Sequence, residues 1–579
     1  MRITYNDKLN KLLNPYLESL LKEKSSLEPE TLTLFDLFME DLDMGGRYGI
    51  FSEILEPRLE EIIREENIES IANLMDGRLN TLFRYMLGDE FAGLFHTYLQ
   101  LEARCPHTIG YDRRAQRSAH PSNHLDHARD AWLQFLKLRA TGFSVEAILK
   151  GGNTPEDTEE FSGYMNSSYW LAAQIAQGNE KVIEYLNQVL TSENNVHRLQ
   201  RWYLHAIAIS GHRPLLELEG KLLLAAKLQE GLRQAIVETM DEGCPESYLY
   251  LFSIIYNNGL QRFASVKRSI AVCTGIGEQD SSERITNKYV ELIWNFLNHP
   301  ETARNTLQSK DTVELYLALW SIGFYDTDEI RAIVPDIIRK GAKHQIQTLL
   351  YFLRCTQSSQ MNHLISKDAF EVWHDDPKVV AAILPLYMDG LYLSRYSDNK
   401  EAPTLSDYFE TPEEAVRHYG YLKQVYQSIS AKEVYSPYVF PWDCVVLTRS
   451  DVVLKMAYIA WMTNDIRLRE ELCTYLPALE SYNRASYIGI VLARTESKVE
   501  QEYVLQSLGD RSADIRDEAY KVLSEMSLSP EQYQHIEELL RFKYSEMRIN
   551  AINLLMKQPE AQLAASIRPV SYTHLRAHE

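Results

Sequence analysis

The feature that most limits what this chain can fold into is a self-similarity near its C-terminal end at an offset of 32 residues. Laid on itself at that offset, the sequence brings Leu476, Leu508 and Leu540 into one column and Arg484, Arg516 and Arg548 into another. Tyr487, Ala519 and Ala551 align next, followed by Val491, Leu523 and Leu555. Ile515 matches Met547 but faces Asn483 in the first unit, so two units are clear and the third is degenerate. A period of roughly 20 to 50 residues marks stacked supersecondary units, because each unit leaves an apolar face that only its neighbours can bury. In physical terms the Ile and Leu columns are core, the Ala column lets helices approach closely, and the Arg column predicts a ladder of hydrogen bonds between adjacent units.

Elsewhere the apolar residues recur at helical spacing, and only 25 Gly and 20 Pro interrupt 579 residues. In Tyr169 to Leu190, one stripe of Trp170, Leu171 and Ile175 and another of Val182, Ile183, Leu186, Val189 and Leu190 flank Gly178-Asn179, the pattern of an α-hairpin. Thr312 to Lys340 reads the same way. The expected fold class is therefore all-α. Polar connections fall at 41–49 and 150–159, and a longer irregular stretch runs from Ser394 to Thr411, with a Pro- and aromatic-rich sequel at 434–442. The expected organisation is an N-terminal helical region (1–150), degenerate helical repeats (151–390), an insertion or boundary (391–450), clear repeats (451–567) and a tail (568–579).

The segment LGDRSADIRDEAYKVLSEM, Leu508 to Met526, resembles the HEAT-repeat (armadillo-like) family: Asp510 stands as the turn acid, Ile515-Arg516 as the pair opening the second helix, and Ala519 as the small packing residue, with Leu523 beyond. The next unit, with Arg548, Ala551 and Leu555, is similar but has Lys543 and Tyr544 in place of the turn acid. This resemblance covers Leu476 to Lys557 and implies an α-α superhelix, a solenoid of antiparallel helix pairs. Asp326 to Lys340 and Asp375 to Tyr387 look like eroded relatives, which extends the expectation over most of the chain. In overall style the chain also resembles the leading, helical half of large bacterial proteins whose other half is a MolR-like domain of unknown function; no short motif anchors that likeness and no residue is carried over from it. The last residues, VSYTHLRAHE, resemble a translated sequencing adapter, so the authentic sequence is expected to run out near Ile567, inside a repeat.

Composition narrows function by exclusion. Sixty Lys and Arg against 81 Asp and Glu give a net charge of -21, which disfavours a general surface for nucleic acid or anionic lipid. No apolar run approaches the roughly 20 residues of a membrane-spanning helix. Cys105, Cys244, Cys273, Cys355, Cys444 and Cys473 are scattered without a CxxC pair, as expected of a reducing, cytoplasmic compartment. Phosphate-loop, dinucleotide, nucleophile-elbow, HExxH and EF-hand motifs are all missing, so no cofactor is expected. HEAT-repeat di-iron hydroxylases carry paired His-Glu steps, and here the sole His-Glu is His578-Glu579.

Three constellations stand out against that background. Cys105, His107, His120 and His124 have spacings within reach of a tetrahedral zinc site, although one thiol and a Cys-x-His start suit a solvated loop at least as well. In the same loop Arg113, Arg114 and Arg117 offer charge-assisted hydrogen bonds to an anion, with Asp112, Asp126 and Asp130 nearby to neutralise them. Tyr435, Tyr438, Phe440 and Trp442, interleaved with Pro437 and Pro441, form a candidate recognition segment, weighed against plain core packing. A further basic group at His197, Arg198, Arg201, His205, His212 and Arg213 reads as a solvated face or inter-repeat ladder before it reads as a nucleic-acid stripe. The expected function is a non-catalytic helical-repeat scaffold that binds a protein or a further C-terminal domain of its own chain, with no membrane and no nucleic acid as partner. The alternatives are the regulatory half of a larger bacterial enzyme, or a zinc- or anion-binding helical protein acting through the 105–127 loop.

Overall fold

The structure is a computed structural model and describes residues 7–43, 54–105, 107–109, 112–116, 125–151, 167–192, 199–226, 228–274, 286–325, 327–356, 359–396, 400–429, 434–437, 444–541, 545–558 and 562–563. Among them the fold is all-α, with 29 α-helices, joined by two short antiparallel hairpins. No described helix is long and apolar enough to cross a membrane. The chain divides into two compact units, 1–333 and 334–579.

Local chemistry explains where helices start and stop. The hairpin read at 169–190 consists of helices Ser168–Ala176 and Glu180–Thr191; Gly178 supplies the left-handed turn at φ +75°, and the Asn179 side chain accepts from the Val182 amide. Thr411, Thr448, Asp376 and Ser529 each cap the helix that follows, and Pro377, Pro412 and Pro530 occupy first helical positions, where the missing N–H costs nothing.

In the first unit, an aromatic core of Phe35, Phe38, Phe83, Phe95, Trp132 and Phe135 gathers the early helices. Beyond it each helix packs on the second one along: Ser168–Ala176 on Arg201–Ser210, that helix on Glu230–Asp241, and that on Ala264–Cys273. The intervening helices form a matching row, with Arg213–Ala225 on Pro245–Asn258 and Pro245–Asn258 on Asn287–Asn298. The second unit repeats the rule at its end: Ser481–Ile490 packs on Ala513–Glu525, which packs on Ser545–Leu555, while Lys498–Ser507 packs on Pro530–Leu539.

The columns of the 32-residue alignment occupy that stacking surface. Tyr487, Ile515, Ala519, Leu523 and Ala551 are buried, as are Met547 and Leu555. Arg484 forms an ion pair with Asp510 at 3.0 Å, and Arg516 one with Glu546 at 3.0 Å while donating to the carbonyls of Asp510 and Arg511. On the preceding helix, Ile466–Leu472, Arg469 grips Glu500 through two 2.8 Å hydrogen bonds, and the Glu500 side chain has no exposed surface. Arg548, the third member of the column, has no ion pair among the described residues.

The hairpins are the part of the fold that helical periodicity does not anticipate. His107–Ile109 pairs with Asp112–Gln116, and Val434–Pro437 pairs with Cys444–Leu447 in the register Val434↔Leu447, Tyr435↔Val446. The second follows from a β-branched run of period two: Val445 and Leu447 point inward, and Val446 between them is exposed.

Candidate functional site

Few of the residues singled out by spacing fall within the described side chains. Cys105 is buried just after helix Asp89–Glu102, its thiol 3.6 Å from the Leu101 carbonyl oxygen. His107 lies on the first hairpin strand, and Arg113 and Arg114 on the second, as backbone positions; His120, His124 and Arg117 lie outside the described residues. Tyr435 is a backbone position paired with Val446, and Tyr438, Phe440 and Trp442 lie outside the described residues, as does the tail 568–579. Of the further basic group, His197 and Arg198 are outside; Arg201 pairs with Glu238 at 2.7 Å, Arg213 with Glu217 at 2.8 Å, and the His205 ring nitrogen meets the Ser168 hydroxyl at 3.0 Å. Those cations are thus answered locally by acids and hydroxyls.

The densest titratable cluster lies instead between helices Ser359–Trp373 and Pro412–Ser428. The first helix contributes His363, Lys367 and Glu371 at steps of four, one face of a helix. The second contributes Glu414, Arg417, His418 and Tyr421 at i, i+3, i+4 and i+7. Glu371 accepts from Arg417 (2.6 and 3.1 Å), from the His418 Nε2 (3.0 Å) and from the Tyr421 hydroxyl (3.2 Å). With Nε2 donating, the opposite nitrogen of a neutral His418 accepts from the Tyr387 hydroxyl at 2.8 Å. Glu414 pairs with buried Lys367 at 3.0 Å and takes the Glu410 amide at 2.7 Å.

Each protonation state follows from its surroundings. Burial pushes the Glu371 carboxyl up, but the Arg417 hydrogen bond and the His418 ring outweigh it and leave it below its usual value. Glu414 is held low in the same way, burial being outweighed by the Glu410 amide and Lys367. Burial lowers His418 despite the neighbouring Glu371, and raises the Tyr387 phenol well above its usual value.

Ligand atoms of Glu371, Glu414 and His418 lie within 4.8 Å of one another, close enough for one ion. Yet Arg417 and Lys367 already balance the two carboxylates, so a divalent cation would enter a site with no net negative charge to hold it. The cluster is a charge-balanced clamp between two helices. A neighbouring histidine does similar mechanical work: the His363 Nδ1 accepts from the Met388 amide at 2.9 Å and its Nε2 donates to the Tyr408 carbonyl at 2.8 Å. That bond pins Met388 at φ +52°, a left-handed backbone that costs a side chain about 1–2 kcal/mol.

A second concentration of functional groups is exposed. The irregular segment after Gly390 presents Tyr392 and Tyr396, 67% and 72% exposed, beside Tyr482 from helix Ser481–Ile490. The Tyr392 and Tyr482 hydroxyls lie 2.9 Å apart, and the Ser394 hydroxyl is 2.9 Å from Tyr482. Beneath them Leu393 and Ser394 are buried, the Arg395 amide donates to Ser486 (3.2 Å), and the Tyr458 hydroxyl donates to the Leu391 carbonyl (2.9 Å). The Arg395 side chain, itself 9% exposed, pairs with Asp514 at 2.5 Å and sits 4.9 Å from the Tyr396 ring centre. The backbone that carries the rings is therefore held in place before any ligand arrives.

Sequence reasoning passed over both clusters. The clamp carried a signal, titratable residues at helical spacing where apolar ones are expected, but on two helices about forty residues apart. The tyrosine group joins positions 90 residues apart through hydroxyls, and no spacing rule links them. No curated protein and no solved structure matches the chain. A family model does, over residues 34–573, and the chain belongs to that family, a family of unknown function (DUF5724).

Proposed function

We propose that this chain is a non-catalytic helical-repeat scaffold, a HEAT-like α-α superhelix that binds a polypeptide through an exposed aromatic surface. The repeat reading is supported by helices packing on the second one along, and by arginine clasps from Arg469, Arg484 and Arg516 to a carboxylate further along the chain. The binding reading rests on one observation: Tyr392 and Tyr396 stand in solvent on a segment locked from below by Arg395, beside half-buried Tyr482 of helix Ser481–Ile490. Tyrosine and arginine dominate the energetic centres of protein interfaces, and rings already fixed in place lose little freedom on binding.

Two experiments test the halves separately. Inserting a second copy of 508–539 after Leu539 adds one helix pair to a stack and should leave a cooperatively melting, helical protein; collapse of the helical signal would defeat the repeat reading. Selection of random displayed peptides against the intact chain should enrich sequences that no longer bind when Tyr392 and Tyr482 are replaced by Ala. A selection that enriches nothing over the support alone, or only peptides indifferent to those replacements, removes the binding reading.

A further inference from the structure

Resting on that binding reading, we propose that the tyrosine surface takes a proline-rich segment in the polyproline II conformation, flanked by basic residues. Three features of the surface select that occupant. The Tyr482 ring lies 6.5 Å from the Tyr392 ring and 6.5 Å from the Tyr396 ring, with interplanar angles of 33° and 36°. Polyproline II turns once every three residues and rises about 3.1 Å per residue, so residues sharing one face recur about 9 Å apart, and a single turn reaches beyond one inter-ring step. Proline rings and tyrosine faces also pack with little rotamer entropy on either side, the basis of recognition in aromatic-lined grooves.

The hydrogen-bonding pattern points the same way. A proline-rich strand has carbonyl acceptors and few N–H donors, and its carbonyls make no internal hydrogen bonds. The Tyr396 hydroxyl accepts from Arg395 at 2.8 Å and keeps its own hydrogen to donate, and the Tyr392, Tyr482 and Ser394 hydroxyls, hydrogen-bonded in a row, spend some of their hydrogens on one another and have at least one left for such a carbonyl. A ligand in extended β conformation would bring N–H groups needing acceptors, and the tyrosines stand on a helix and an irregular segment rather than on a strand it could pair with.

Charge chooses between a peptide and stacked bases, the other ligand that aromatic platforms accept. Single-stranded nucleic acid needs cations along its backbone. The cation here, Arg395, is already committed to Asp514, and Glu518 lies 3.7 Å from it. Asp514 keeps 56% of its side chain in solvent, and the whole chain carries -21. The local and global fields repel phosphate and attract Lys or Arg at the ends of a peptide.

The test is fluorescence anisotropy of the full chain with a labelled oligoproline peptide carrying arginine at both ends. Saturable binding is expected, weakened about tenfold or more by Tyr392→Ala and by Tyr482→Ala, and reduced as salt rises from about 0.05 to 0.5 M. Tyr392→Phe keeps the ring and loses the donor, and should fall between wild type and Tyr392→Ala. Helical circular dichroism and the melting midpoint serve as the fold control, since the Tyr392 side chain is exposed. The proposal is overturned if an arginine-flanked Gly-Ser peptide binds equally well, if oligothymidylate binds in a Tyr392-dependent way instead, or if the Ala variants bind the oligoproline as wild type does. If displayed-peptide selection returns Tyr392-dependent sequences without proline, the binding reading survives and only the ligand class falls.

Discussion

The helix pairs at 481–555 and the interface between Ser359–Trp373 and Pro412–Ser428 both use ionised groups to fix one helix against another, but they distribute them differently. The terminal pairs place one arginine per unit at the edge of an apolar seam, and the Arg484 and Arg516 guanidiniums each meet a single carboxylate from the next unit. The clamp concentrates Lys367, Glu371, Glu414, Arg417 and His418 on one interface, together with the hydroxyls of Tyr387 and Tyr421. In the first arrangement the seam supplies the stability and the charge fixes the register. In the second, Lys367, Glu414 and His418 depend on their partners for solvation, while Arg417 keeps 48% of its side chain in solvent, so removal of a buried member leaves others stranded.

The comparison can be broken most decisively at Arg469, a clasp buried as deeply as the clamp. Arg469→Ala leaves the Glu500 carboxylate without its cation in a site without solvent, and should cost about 3–5 kcal/mol, read as a lowered midpoint of denaturant unfolding. A cost below about 1 kcal/mol would show that Glu500 reaches water.

Acid should separate the regions next. Burial, helped by the cations of Lys367 and Lys455 and only partly offset by the Tyr408 carbonyl, lowers His363 to about 4, against an ordinary 6.5. The unfolded chain then binds a proton below about 6.5 that the native chain refuses until about 4, so stability is lost as pH falls through that window. The shift corresponds to about 3 kcal/mol. Stability curves measured at pH 7 and pH 4.5 should differ accordingly, and His363→Asn should flatten the difference. An unchanged pH slope in that variant would move the acid sensitivity elsewhere.

Smaller effects sharpen the picture. Arg484→Lys keeps the charge but shortens the reach and loses the guanidinium N–H that meets Asp510 at 3.0 Å, and should cost about 0.5–1 kcal/mol in the same unfolding assay. Lys455 should change stability least and reactivity most. Burial lowers its amine to about 8 despite Asp389 and Asp451 nearby, so near pH 8 a larger fraction of it is unprotonated than of the exposed lysines, and its acylation rate in a peptide-mapping time course should level off at lower pH than theirs. A pH profile shared by all lysines would contradict its desolvation.

What was legible in the sequence follows from the same contrast. The terminal units announce themselves because one packing solution recurs, so Leu508, Arg516 and Ala519 repeat at a fixed offset. The all-α class was readable from helical spacing for the same reason. The Val434–Pro437 and Cys444–Leu447 hairpin was not, because runs of four residues are too short for periodicity to outvote their helical surroundings. The clamp occurs once, so nothing in the chain repeats it. Histidine crowding drew attention to 105–127, whereas His363 and His418 take their properties from burial and partners that only the fold brings together.

The Arg395–Asp514 pair closes 119 residues of chain, whereas the stacked helices mostly meet close neighbours. Closing a flexible loop of that length costs about 4 kcal/mol in chain entropy, which the pair cannot supply until the helices between have already formed. The tyrosine surface is therefore expected to assemble late in folding. During synthesis the Arg395–Asp514 contact cannot form until residue 514 has left the ribosome.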